Sequence, residues 1–195
     1  MEKILTDGNI PAGDAGEPVE RYTDVAIALH WLLAIALLAS FCVGLYMADL
    51  KLSPTRIRLF NWHKWAGISI LVLSAFRLAW RLTHRPPEEP AFLPQWQKRL
   101  AGGVHHLLYL LFFLVPLAGW AHSSAAGFPV VWFGVIHLPD FVAVDKQLAE
   151  TLGDVHSALA FTLGGLVVLH VAGALQHRFI LKDTIVQRML PGRRT

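Results

Sequence analysis

Apolar positions along this chain are gathered into four long runs separated by short polar segments, with no alternation that would suit a soluble helix or strand. A bilayer asks for roughly 20 apolar residues per spanning helix. The first run, 25–48, contains one histidine and no charge. A second runs from 62 to 79 or 80, with Lys64 near one end and Arg77 near the other. The third, 101–120, has His105 and His106 near its start and Pro116 late, and the fourth, 152–175, contains His156 and His170. The pattern predicts an all-α fold, an integral-membrane four-helix bundle. A fifth apolar stretch, 125–144, is divided by Pro129 and Pro139, which leave nine residues between them, too few for a spanning helix. It is expected to form a short interfacial or re-entrant segment on the surface between spans three and four.

Lysine and arginine placement sets the direction of the spans. With the N-terminus inside, the inner segments carry eleven: Lys3, Arg21, Arg81, Arg85, Lys98, Arg99, Arg178, Lys182, Arg188, Arg193 and Arg194. The outer segments carry four, Lys51, Arg56, Arg58 and Lys146. Both termini are therefore expected in the cytoplasm. Residues 1–24 are polar and acidic, without the basic start and apolar core of a cleavable signal. The expected organisation is a flexible acidic cytoplasmic tail over 1–20, a transmembrane domain over 21–191, and a basic tail over 192–195.

Composition agrees with a bilayer protein. Only 16% of residues are charged, against about 25% in an ordinary soluble domain. The formal net charge of +3 is small and spread along the chain, which argues against a nucleic-acid partner.

The ten histidines change the picture more. Six lie in the apolar runs, where an ionisable group is costly and usually faces the bundle interior to perform a function. By depth, His30 lies towards the inner face, His63 and His156 towards the outer face, and His170 towards the inner face. His156 and His170 are 14 residues apart. That is roughly 21 Å along a helix, and about 1400° of rotation, within about 40° of four full turns. Both therefore point to one side of span four, and each has a depth-matched partner, His30 for His170 and His63 for His156. Two imidazoles facing each other across a bundle are the ligand set of a six-coordinate haem iron. Two such pairs predict two non-covalent b-type haems stacked along the membrane normal. The single cysteine, Cys42, excludes the C-x-x-C-H attachment of a c-type haem. Gly67, Gly164, Gly165 and Gly173 leave room either for a flat macrocycle or for close helix contact.

The ordered set of motifs resembles the bacterial cytochrome b561 family, related to the cytochrome b subunits of nickel–iron hydrogenases. The resemblance covers about 21–191. It is carried by Arg21-Tyr22, Leu29-His30-Trp31, His63-Lys64-Trp65-Ala66-Gly67 with Arg77 and Arg81, His105-His106-Leu107-Leu108-Tyr109, Pro116-Leu117-Ala118-Gly119, Phe133-Gly134, Leu138-Pro139, His156, His170 and Lys182-Asp183. The resemblance implies that His30, His63, His156 and His170 are the axial haem ligands. It also implies quinone, such as ubiquinone, as an electron partner, residence in the bacterial inner membrane, and kinship with superoxide oxidases that pass electrons from external superoxide to ubiquinone.

Other residues carry two readings each. Arg77 either neutralises a haem propionate or snorkels to the inner interface. His177 either belongs to a quinone site on the cytoplasmic side or is a plain interfacial residue in a basic tail. Lys64 either attracts an anion such as superoxide or is an ordinary interface lysine. His105 and His106 are expected in structure or propionate contact rather than iron ligation, and the tryptophans near span ends are expected as membrane anchors. Three functions are compatible with the sequence. One is a self-contained electron carrier between quinone and a small external redox partner such as superoxide, with a redox protein as a further candidate partner. Another is a membrane-anchor cytochrome b delivering electrons for a larger dehydrogenase or reductase. A third is a histidine-lined metal or proton transporter, which the near absence of intramembrane carboxylates disfavours.

Overall fold

The protein, seen in a computed structural model, is described over residues 20–90 and 92–192. The expected tails over 1–20 and 192–195 lie outside those residues, apart from Glu20 and Gly192. Four helices run up and down: α1 Asp24–Ala48, α2 Pro54–Thr83, α3 Gln95–Ala125 and α4 Lys146–Leu175. All four are long and apolar enough to cross a membrane. The sequence places each span, and local capping chemistry extends it. Thr23 Oγ1 accepts from the Ala26 amide at the start of α1, Ser53 Oγ accepts from Arg56 ahead of Pro54, and Asp145 Oδ1 accepts from Leu148. α2 thereby begins eight residues before Trp62, so Arg56 and Arg58 lie on its first turns rather than in a loop. Thirty residues make about 45 Å of helix, longer than the hydrocarbon layer of roughly 30 Å, so those turns stand in the interface.

The helices bury little and expose apolar side chains outward. Ile35, Leu38, Phe161 and Val168 are each more than 60% accessible. Helices that are apolar on the outside as well as the inside need lipid around them. Inside, Val104, Leu108 and Leu111 of α3 pack on Leu163 of α4, with Leu37 of α1 against them. Leu163 lies midway between His156 and His170, so this dry cluster separates the two histidine levels.

The fifth apolar stretch forms a small surface hairpin. Val131–Trp132 pairs antiparallel with Ile136–His137. Its turn holds Phe133 at φ 52° and Gly134 at φ 73°. A bulky residue in the left-handed region costs roughly 1 kcal/mol or more, and Phe133 is held there by aromatic contacts with Trp65 and Trp132 at 5.6 and 5.2 Å between ring centres. The hairpin is fastened to α2. Trp65 Nε1 donates to Val131 O at 2.6 Å, Trp132 Nε1 donates to Ser69 Oγ at 3.2 Å, and Lys64 Nζ donates to Phe128 O and Pro129 O at 3.4 and 3.3 Å. Two tryptophans expected as membrane anchors thus serve as staples. Trp65→Phe is expected to raise amide exchange over 128–137 several-fold while exchange in the middle of the four helices stays unchanged, as read by hydrogen–deuterium exchange in detergent.

At the opposite end the start of the α1 region is pinned to the segment that follows α4. Arg21 donates to Leu190 O and to Gly192 O (2.9 Å to the latter), and Trp31 Nε1 donates to Met189 O at 2.9 Å. Past α4 the helix widens into a π turn over Gln176–Leu181, and Lys182 stops it in the left-handed conformation.

Candidate functional site

At the hairpin end, His63 of α2 and His156 of α4 face each other with ring centres 6.0 Å apart and planes at 86°. Each ring is held by the same device. His63 Nδ1 donates to Ser40 O at 3.1 Å, and His156 Nδ1 donates to Val115 O at 3.0 Å. In both cases the residue four positions after that carbonyl is a glycine. A Cβ on Gly44 would come within 3.2 Å of His63 Cε1, and one on Gly119 within 3.0 Å of His156 Cε1. The physical reason lies in helix geometry: side chains lean towards the N-terminus, so the residue at i+4 covers the carbonyl of residue i. Glycine uncovers that carbonyl and lets an imidazole from the facing helix settle on it. With the hydrogen committed at Nδ1, the neutral ring offers its lone pair at Nε2, the form in which histidine binds a metal.

The device occurs a third time. His122 Nδ1 donates to Ala149 O at 2.8 Å, and its ring lies on Gly153, 3.2 Å from where a Cβ would be. Gly119 and His122 on α3 answer Gly153 and His156 on α4, two copies of Gly-x-x-His interlocked head to tail. This repeat is visible in the sequence once the two helices are aligned antiparallel, yet neither Gly44, Gly119 nor His122 stands out without that pairing.

Near the chain termini, His30 of α1 and His170 of α4 face each other with ring centres 6.1 Å apart and planes at 67°. His105 of α3 stands closer to His170, 5.2 Å between centres, in edge contact. Its neighbour His106 turns away and bonds its own helix at Gly102 O. Arg77 reaches inward. Its Nη2 lies 3.3 Å from His30 Nδ1, its Nη1 donates to Ala26 O at 3.3 Å, and its Nε donates to Tyr109 Oη at 3.2 Å. It does not snorkel. Arg77 also lines an open cleft at this end, together with Tyr22, Thr23, Ala26, Trp80, Arg81 and Tyr109. His177 is not among the residues lining that cleft; its Nδ1 lies 2.6 Å from Asp183 Oδ2 in a largely enclosed pair.

Both histidine pairs suit a group held between two axial imidazoles. A metal–imidazole bond of about 2.0 Å places the centres of two trans rings roughly 6 Å apart, and both pairs have that spacing while His105 and His170 are closer than it. Beside the hairpin-end pair a second cleft opens between α2 and α3. Gly67 lines it, so no side chain from that position occupies the cleft. Gly164, by contrast, serves close helix contact, with Phe41 3.4 Å from a notional Cβ. The termini-end pair carries one further condition. A guanidinium can only donate, so the Arg77 contact makes His30 Nδ1 an acceptor and leaves the ring hydrogen at Nε2. Ligation through Nε2 requires Arg77 to release His30 and take another acceptor.

Membrane-length apolar helices with histidines paired across the interior define the class of membrane-embedded cytochromes. Residues 21–192 match the model of the prokaryotic cytochrome b561 family. The chain is 36% identical over 180 residues to cytochrome b561 homolog 2 of Escherichia coli (strain K12), covering 88% of this chain and 92% of that protein. It is 30% identical over 181 residues to a Yersinia pestis protein named "Probable superoxide oxidase CybB", covering 90% and 98%, and 28% identical over 175 residues to cytochrome b562 of Cereibacter sphaeroides, covering 87% and 94%. The chain belongs to the prokaryotic cytochrome b561 family. It is a membrane electron-transfer protein of a family that carries b-type haem.

Proposed function

We propose that this cytochrome holds two b-type haems, one between His63 and His156 and one between His30 and His170, and passes electrons through the bilayer between a small redox partner and quinone. The observation that supports this reading is the pair of facing imidazole sets, each near the trans-ligand spacing, at two levels of the bundle. Bound haem with both axial positions filled supplies a one-electron iron couple and leaves no site for oxygen. The protein's own part is positional. Backbone carbonyls of Ser40 and Val115 orient the hairpin-end rings, and the apolar cluster around Leu163 keeps water from the space between the levels. Arg77, displaced from His30, is suited to a haem carboxylate beside it.

Quinone is assigned to the cleft at the termini end, lined by Trp80, which stacks on His84 with its other face left for a ligand, and by Tyr109, with Arg77 reaching from the cleft wall to His30. The basic tally of the loops supports a cytoplasmic location for this end and for both termini, in a bacterial inner membrane. The Yersinia relative's name supports superoxide as the partner on the other side. In balance, two superoxide anions yield two dioxygen molecules and two electrons, and those electrons with two protons convert quinone to quinol.

The test is purification in mild detergent, with haem counted per polypeptide and reduction by superoxide followed optically. Two low-spin haems per chain and quinol formation without added subunits support the proposal; one haem or none overturns it. If haems are reduced by superoxide but quinol forms only with a further subunit, the chain is an anchor cytochrome. Trp80→Ala is expected to raise the quinone KM about tenfold, from the lost aromatic contact, with both haem bands intact; steady-state quinol formation checks it.

A further inference from the structure

The indole Nε1 of Trp120 is buried and has no hydrogen-bond partner among the described residues. A buried donor left unpaired costs roughly 1–3 kcal/mol, so such an atom usually marks a missing acceptor. Trp120 directly follows Gly119, the seat of His156, and lines the same cleft as His63 and His156. Its ring cannot swing freely to solvent, because Phe141 packs edge-on against it at 4.9 Å between centres. Lys64 lines that cleft too. Two of its three N–H donors are directed to the Phe128 and Pro129 carbonyls, and no carboxylate lies within ion-pair distance among the described residues. An orphaned N–H on a residue lining the cleft, and an ammonium that Asp140 attracts without reaching ion-pair distance, beside two rings suited to hold a metal, call for an anionic oxygen acceptor.

We propose that Trp120 Nε1 donates a hydrogen bond to an ionised carboxylate of the haem held at the hairpin end, with Lys64 as the nearby countercharge. The proposal rests on the reading that His63 and His156 ligate a haem. Trp120 is a positioning and tuning residue, since it touches the rim of the group and not the iron. Haem carries two carboxylates that are charged at neutral pH, and in a membrane interior each needs a donor. A donor on that carboxylate draws negative charge away from the iron and favours the reduced state. Removing it favours the ferric state.

The experiment compares wild type with Trp120→Phe, which keeps the ring and the Phe141 contact and removes only the N–H. Both proteins are prepared with native haem and, separately, reconstituted with haem dimethyl ester, in which the carboxylates are blocked. Redox titration followed optically reads the hairpin-end haem. With native haem, Trp120→Phe is expected to lower its reduction equilibrium about threefold, close to 30 mV for one electron; with the ester, wild type and variant are expected to agree. No shift with native haem overturns the proposal. A shift that persists with the ester also overturns it and assigns the effect to something other than a haem carboxylate. A wild-type protein with no low-spin haem component that the His63 and His156 variants remove defeats the haem reading itself and is separable from either result.

Discussion

Replacing His156 with alanine is expected to halve the low-spin haem content of the purified protein, and replacing His63 is expected to remove the same spectral component. His30→Ala and His170→Ala are expected to remove the other. The pairing follows from geometry: the two rings of each pair are 6.0 and 6.1 Å apart, and each pair joins α4 to a different helix. One imidazole cannot hold iron six-coordinate, so losing either partner leaves high-spin haem or none. The dry layer around Val104, Leu108 and Leu163 isolates the levels, so a change at one should leave the other's bands in place. Haem counted per chain, with low-temperature α-band or electron paramagnetic resonance spectra of the four variants, checks this. Four independent spectral effects, or loss of both components from any single substitution that still folds, would sink the two-site scheme. A His105→Ala variant belongs in the same set, because its ring is closer to His170 than the trans spacing; it is expected to keep both low-spin components.

Gly119→Ala is expected to weaken haem retention at the hairpin end by about 10–100-fold, the usual cost of disturbing a ligand's supporting contacts. Alanine is otherwise the better helix residue by roughly 1 kcal/mol, so the substitution separates the site from the fold. The added Cβ would stand 3.0 Å from both Cε1 and Nδ1 of His156, tighter than ordinary van der Waals contact. The ring has little room to retreat, since its Nδ1 is tied to Val115 O on the same helix as the intruding methyl. Gly44→Ala should act in the same direction and less strongly, with one contact at 3.2 Å to His63. Gly165→Ala, at a position that lines neither cleft and where a Cβ meets no protein atom within 4 Å, is the matched control and should leave haem content and thermal stability unchanged or slightly improved. Haem dissociation to a competing apoprotein measures all three. Equal retention in Gly119→Ala and Gly165→Ala would remove glycine from the account of how these rings are presented.

Much of this was legible in the sequence because membrane thickness and helix pitch are nearly fixed quantities. The four apolar runs gave the helices, and the 14-residue interval on α4 gave two levels facing one way. Helix ends were less legible, since Ser53 and Pro54 set the start of α2 in a stretch that hydropathy alone counts as loop. The seats of the rings were hidden for a different reason. Val115 and Ala149 act through backbone carbonyls, as Ser40 does alongside its hydroxyl, 3.2 Å from His63 Nδ1; no side-chain pattern reports a carbonyl, and Gly44 and Gly119 matter only relative to a histidine on another helix. Arg77 illustrates the same limit: a charge near a span end suits snorkelling as well as an inward reach, and only its contacts with Ala26, His30 and Tyr109 decide. The hairpin was foreseen as a surface segment between two prolines, but its attachment to Trp65 and Ser69 depends on which helix passes beneath.

α4 acts as a ruler. A single residue inserted between His156 and His170 would turn one ring by about 100° relative to the other and lengthen the interval by about 1.5 Å, so one haem seat would lose its ligand outright. Insertions in the hairpin, in the segment between α2 and α3, or beyond Lys182 displace neither ring. Among natural variants of this protein, length is therefore expected to drift freely at the membrane surfaces and to be frozen between the two levels, so that gaps in an alignment alone would reveal where the electron path runs.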